Sequence, residues 1–214
     1  MKLVFLGPPG VGKGTQAQMI SEELGAKHLS TGDMLREAVA GGTSVGLKAK
    51  VFMDKGELVP DEVIIALVRD RITKPDCEKG FILDGFPRTT PQAEALDVML
   101  NECNMLLDGV VSFTVSDKEL IRRLGGRRTC PSCGATFHIE SKQPKEEGIC
   151  TNCSGELITR DDDQPEAITR RLQVYEDKTS PLIAYYQNKG LLRTVDASAS
   201  PDEVMNNVRK AISL

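Results

Sequence analysis

The chain has 214 residues, with 27 Lys and Arg against 31 Asp and Glu for a net charge of −4, and no tryptophan. That length fits one α/β domain with insertions or two small domains, and 40% hydrophobic with 27% charged residues is ordinary for a globular chain. The acidic balance and 4% aromatics exclude a general nucleic-acid binder, a base-stacking platform and a basic membrane-surface protein.

In chain order, residues 3–6 read as a buried strand and 16–24 as an amphipathic helix. Residues 30–59 hold helical pieces and scattered glycines but no obvious strand. A helix is predicted over 61–72, a strand over 81–83, and a helix over 91–100 with Thr90 before Pro91 as its start signal. A strand over 110–115 precedes a helix over 117–124, opened by Ser116 and Glu119 as a capping box. Residues 126–163 carry four cysteines among Pro, Gly, Thr and charged residues. One long helix over 164–188, a strand over 191–195 and a helix over 201–212 follow. The last has Ser200 and Glu203 as a capping box and Pro201 at its first position. Strands with few charges on either face, alternating with helices, predict a parallel sheet covered on both sides. No internal repeat is evident.

The longest stretch free of Asp, Glu, Lys and Arg covers residues 129–139, whereas a membrane span needs about 20 mostly apolar residues. The apolar run in residues 1–6 is too short for a signal peptide and leads into a glycine loop. The chain therefore reads as cytoplasmic, with its six cysteines reduced.

Gly7-Pro8-Pro9-Gly10-Val11-Gly12-Lys13-Gly14-Thr15 lies between the first strand and the first helix. In that context the glycines let successive N–H groups face an anion, and the helix N-terminus adds its own free N–H groups. Lys13 brings a full charge to β- and γ-phosphates. Gly14 stands where such loops commonly place a magnesium-binding hydroxyl, and Thr15 offers one a position later. Asp84 ends an apolar strand, where P-loop folds hold Mg²⁺. Arg88 lies at the same rim, and its planar fork suits phosphate.

Cys130-x-x-Cys133 and Cys150-x-x-Cys153 form two matched pairs, a pattern that reads as tetrahedral zinc with no open ligand position. A redox pair is the rival, and His138 is a spare ligand candidate. A segment this small and this poor in apolar residues needs a staple, which makes the zinc structural. Cys77 and Cys103 read as buried fillers.

The chain resembles the adenylate kinases of the bacterial, long-lid type over nearly its full length. The resemblance is carried by Gly7 to Thr15, with its glycine after the lysine, and by Leu29-Ser30-Thr31-Gly32-Asp33-Met34-Leu35-Arg36. It continues in Gly56-Glu57-Leu58-Val59-Pro60-Asp61, in Asp84-Gly85-Phe86-Pro87-Arg88 with Gln92, and in Arg123, Gly126-Arg127-Arg128, Arg160-Asp161-Asp162-Asp163 and Arg170-Arg171-Leu172. It implies a nucleoside-monophosphate-kinase fold with a five-stranded parallel sheet. The core would take in residues 1–29, 60–125 and 164–214, with a monophosphate-binding insertion at 30–59 and a zinc-ribbon-like lid at 126–163. The implied reaction is ATP + AMP ⇌ 2 ADP with Mg²⁺, carried out by a monomer.

By the same resemblance Gly10, Val11, Gly12, Lys13, Gly14 and Thr15 bind ATP phosphates. Arg127, Thr136, Phe137 and the backbone near Ala199 complete the ATP side. Thr31, Arg36, Glu57, Leu58, Val59, Gly85, Phe86, Pro87, Arg88 and Gln92 hold AMP, with Gln92 at the adenine edge. Arg88, Arg123, Arg160 and Arg171 surround the transferring phosphoryl group with Lys13 and Asp84, and Arg160 and Arg171 also face AMP. The acceptor is itself anionic, so the chemistry needs charge cancellation and in-line placement more than a base. Asp162 and Asp163 are expected to pair with basic residues and hold the lid.

Three rivals differ on particular features. A nucleic-acid-dependent ATPase would use the cysteine segment beside Arg122, Arg123, Arg127 and Arg128, against the acidic balance. A GTPase would use Thr73-Lys74-Pro75-Asp76, which lies on the wrong side of the Asp84 strand. A UMP/CMP kinase shares the fold, and Thr31 and Gln92 favour adenine over it.

Overall fold

A strand that is apolar on both faces must be covered on both, and β1 (Lys2–Leu6) is such a strand. In the computed structural model, which describes residues 1–213, β1 is central. Leu214, the end of the predicted core segment, lies outside the described residues. Among the described residues the main sheet has five parallel strands in the order β2 (Lys27–Ser30), β3 (Phe81–Asp84), β1, β4 (Gly109–Thr114) and β7 (Leu192–Asp196). Leu3 pairs with Ile82, and Val4 with Leu83 and Val110. Period two then sends Val4, Leu6 and Leu83 into one apolar layer and Leu3, Phe5 and Ile82 into the other.

The first layer is closed by α4 (Asp61–Ile72), α5 (Thr90–Glu102) and α8 (Pro181–Asn188), through residues such as Val68, Leu96 and Leu182. The second is closed by α1 (Lys13–Leu24), α6 (Asp117–Gly125) and α9 (Pro201–Ala211), through Ile20, Leu120 and Val208. The insertion after β2 folds as α2 (Thr31–Ala40) and α3 (Ser44–Met53). The cysteine segment is a small antiparallel unit in which β5 (Arg127–Thr129) pairs with β6 (Thr136–His138), and Thr129 also bridges to Ile158.

One strand had no counterpart among the predicted elements, and three local expectations are corrected. β2 has no apolar run because it is an edge strand, and only Leu29 in it is buried. The cap of α5 is Thr89, whose hydroxyl accepts the Gln92 N–H; Thr90 is already helical. Ser116 does sit at the start of α6, but its side chain makes no capping bond. Glu119 turns instead to Arg122 and Arg123. The long helix over 164–188 is broken into α7 (Pro165–Val174), a wider π-type turn (Tyr175–Thr179) and α8. Pro181 has no N–H to continue the ladder, and the Ser180 N–H instead reaches back five residues to the Tyr175 carbonyl. The Ser200–Glu203 capping box is present.

Candidate active site

The C-terminal ends of β1, β2 and β3 lie side by side in register, with Ser30 opposite Asp84 and Phe5 opposite Asp84 on the other flank. Each strand leads into a loop at the same sheet edge, where α/β folds bind ligands. The β1 loop enters α1 through Gly12, whose φ of 104° suits only glycine without strain. Gly85, after β3, is forced by close approach: a Cβ there would lie 2.9 Å from both Arg88 Nη2 and Thr31 Oγ1.

These loops wall a cavity of about 820 Å³. On it stand the phosphate loop from Gly10 to Thr15, Thr31, Arg36, Glu57, Leu58, Val59, Asp84, Gly85, Pro87, Arg88 and Gln92. Arg123, Arg127, Thr136, Phe137, Arg160, Arg171 and Ala199 line it as well. Phe86 is the exception: it is fully buried in the layer with Leu83 and Leu96. An apolar ring between β3 and α5 gains more from that layer than from a polar cavity, so its side chain anchors the loop from behind.

Nine Lys and Arg side chains line this one space, the seven of the predicted site together with Arg122 and Lys142. Lys13 Nζ donates to the Gly7 and Pro8 carbonyls at 2.7 and 3.0 Å. Burial pulls its pKa down to about 8; Asp84 opposes the drop, and Arg88, Arg171 and Arg127 add to it. Burial likewise lowers Arg160 to about 10, with Arg127 and Arg36 adding to it, and lowers Arg88, with Arg171 adding to it. The cavity is therefore short of negative charge. The acids present partly answer this. Asp33 takes Arg36 at 2.6 Å, and Glu119 takes Arg123 at 2.7 Å. Asp163, with a fully buried side chain, accepts from Arg127 at 2.7 Å and Arg171 at 2.9 Å. Asp162 lies 3.0 Å from Arg171. Asp162 and Asp163 thus tie the cysteine segment to α7.

The depressed Lys13 has a measurable consequence. Its folded value lies below the ordinary 10.5, so the unfolded chain binds more protons between pH about 8 and 10.5, and this group's contribution to stability rises with pH across that window. A polyanion placed beside Lys13 would favour the charged amine. Nucleotide binding near pH 9 is expected to take up a proton, seen as a binding enthalpy that changes with the buffer's ionisation enthalpy. No buffer dependence at pH 9 would contradict this.

The four cysteine sulfurs lie within 4.8 Å of one another, with Cys130–Cys153 at 3.4 Å and Cys133–Cys150 at 3.6 Å. A tetrahedral ion with bonds of about 2.3 Å to sulfur needs S–S edges of about 3.8 Å, so the donor set fits such an ion, and no disulfide is formed among these cysteines. The two loops repeat one design. Cys130 N–H reaches the Ala135 carbonyl, as Cys150 N–H reaches that of Gly155. His138 is not a fifth candidate: its Nδ1 accepts the Glu140 and Ser141 N–H groups, and its Nε2 faces the Arg122 carbonyl. Of the remaining cysteines Cys77 is buried and Cys103 only partly so. Thr73 to Asp76 stands off the cavity, with Asp76 held by Arg71 at 2.7 Å.

Other groups in the cavity, and one behind it, were missed by sequence reasoning. His28 Nε2 lies 3.3 Å from Asp84 Oδ2; it sits on the polar edge strand, which gave no signal. Glu119 carried one, its spacing of four from Arg123 on α6. Arg122, and then Arg123, hold its carboxyl down near 2 despite some burial. Asp61 and Thr179 bind Gln92 and the Arg88 carbonyl, and only the fold brings them there.

A five-stranded parallel sheet, a phosphate loop entering α1, a helical insertion after β2 and a Cys₄ ribbon together define a P-loop nucleoside-monophosphate-kinase fold. A family model described as adenylate kinase matches residues 5–191. The chain is 55% identical over 212 residues to an adenylate kinase of Carboxydothermus hydrogenoformans, covering 99% of both chains. It is 56% identical over 212 residues to one of Methanocella arvoryzae, covering 99% of this chain and 98% of that one. It is 55% identical over 208 residues to one of Archaeoglobus fulgidus, covering 97% and 96%. The chain belongs to the adenylate kinase family, and is by that membership an ATP:AMP phosphotransferase.

Proposed function

We propose that the cavity holds ATP and AMP tail to tail and runs ATP + AMP ⇌ 2 ADP. Residues Gly10 to Thr15 take the ATP phosphates, Arg123 and Arg127 flank them, and Thr136, Phe137 and the backbone at Ala199 receive the base. Thr31, Arg36, the backbone from Glu57 to Val59, the loop from Gly85 to Arg88 and Gln92 receive AMP. An AMP phosphate oxygen attacks the γ-phosphorus in line, and the bond to the β–γ bridging oxygen breaks. Lys13, Arg88, Arg123, Arg160 and Arg171 surround that phosphorus and offset the repulsion between two polyanions, an effect strongest where water is excluded. Mg²⁺ with ATP would neutralise further phosphate charge. Asp84 and the Thr15 hydroxyl are the hard oxygen donors at hand, and Gly14 leaves room, since a Cβ there would stand 3.3 Å from Asp84 Oδ2.

The division of the chain follows from this. Residues 1–29, 60–125 and 164–214 form the core, 30–59 the AMP insertion and 126–163 a lid. Cys130, Cys133, Cys150 and Cys153 hold structural Zn²⁺, which demands thiols kept reduced and so suits the cytoplasm. A monomer suffices, because one chain supplies both subsites. The observation that supports the reading is one cavity lined by residues of both sets, Phe86 apart, together with nine Lys and Arg side chains. A coupled assay with MgATP and AMP, UMP, CMP or GMP tests it. AMP is expected to be preferred, and a preference for UMP or CMP would move the chain to the pyrimidine kinases.

A further inference from the structure

We infer that Asp61 sets the base preference of the AMP subsite by fixing which way the Gln92 amide faces; this rests on the reading of Gln92 as the residue at the adenine edge. Asp61 is the first residue of α4 and stands behind Gln92, off the cavity wall. Its two oxygens accept from Gln92 Nε2 at 2.7 Å and from Thr89 Oγ1 at 2.9 Å. The Thr89 hydroxyl in turn accepts the Gln92 N–H at 3.3 Å, and Gln92 Oε1 accepts the Arg88 N–H at 2.8 Å. The Arg88 carbonyl is held from the far side by Thr179 Oγ1 at 2.8 Å.

The two ends of a primary amide have nearly the same shape and opposite hydrogen-bonding roles. Turned end for end here, Gln92 would aim Nε2 at the Arg88 N–H and Oε1 at a carboxylate. Both contacts would set like against like at a buried residue that is 1% exposed. The amide is therefore locked, with one Nε2 hydrogen and one Oε1 lone pair uncommitted. Donor beside acceptor, they match adenine, whose N1 accepts and whose 6-amino group donates. Hypoxanthine presents the reverse, an N1 donor and a 6-oxo acceptor, and would need the turned amide. Asp61 is thus a positioning residue that converts an adaptable amide into a reader of one pattern.

The test uses the full chain, MgATP as donor and AMP or IMP as acceptor. Asp61→Ala is expected to lower the ratio of kcat/KM for AMP over IMP by about tenfold or more, mainly through a higher KM for AMP. Asp61→Asn, whose Oδ1 still accepts from Nε2, is expected to keep the ratio within about threefold of the parent. A purely structural role at the start of α4 would move the melting temperature in Asp61→Ala and leave the ratio alone. That result, with Gln92→Ala collapsing the ratio, overturns the inference. A ratio unmoved by Gln92→Ala instead overturns the assignment of Gln92 to the base. Should Asp61→Ala not fold, Asp61→Ser withdraws the carboxylate while keeping a helix-start residue, and the same two outcomes apply.

Discussion

Arg88→Ala is expected to cut turnover about 10³-fold or more, in line with the loss of one buried donor or arginine aimed at a transferring group. The same change is expected to leave the free protein as stable as before, or more so. Arg88 stands in a cavity with too many cations: burial and Arg171 lower its pKa, and Asp84 only partly compensates. Its side chain makes a hydrogen bond to the Gly85 carbonyl at 2.8 Å, worth about 1 kcal/mol. Relief of repulsion against Arg171 and Lys13 offsets that loss. Without substrate the charge is therefore a burden, and with two polyphosphates present it becomes essential. Steady-state kinetics and a thermal melt on one preparation separate the two effects. Near-normal turnover would remove Arg88 from the reacting centre, and a large fall in melting temperature would make it a folding residue.

Metal removal is the second large effect. The apolar cluster of the cysteine segment is Cys130, Phe137, Cys150 and Leu157, with Ala135 against it. Burying one Leu and one Phe side chain contributes about 3–6 kcal/mol at most, too little to order residues 126–163 against chain entropy. A thiolate-bound zinc contributes about 10 kcal/mol or more in small isolated sites. A strong chelator is therefore expected to expose this segment to protease, with cleavage inside 126–163, while the sheet-bearing core keeps its circular dichroism. Activity falls with it, because Arg127, Thr136, Phe137 and Arg160 ride on the segment. Cys133→Ser should reproduce the loss without chelator. Unchanged protease resistance after verified metal removal would mean that the four sulfurs hold nothing that the segment needs.

The parts of the molecule legible in the sequence were those in which local chemistry and tertiary role coincide. β1 is apolar on both faces because it is central, and Lys13 follows a glycine loop because the loop must cradle an anion. The cysteine spacing shows directly because two short loops close on one point. The rest depended on neighbours distant in sequence. β2 is polar because it is an edge strand, so periodicity could not show it. The break after Val174 follows from Pro181, seven residues on, and the path continues smoothly enough to mimic one helix. Phe86 sits in a motif of binding residues yet turns inward, since the apolar layer behind the loop competes for it. The lock on Gln92 adds Asp61 of α4 and, through the Arg88 carbonyl, Thr179 to the local cap Thr89, and only packing places Asp61 and Thr179.

The claim on which all of this depends is that one cation-lined cavity brings two nucleotides together and keeps water out of the transfer. The most direct measurement supplies purified protein with Mg²⁺, ATP and AMP and follows ADP and inorganic phosphate together by phosphorus NMR. Two ADP formed for each ATP and AMP consumed, with phosphate at background, is the predicted result. No ADP, or phosphate released in step with ATP loss while AMP persists, would contradict it.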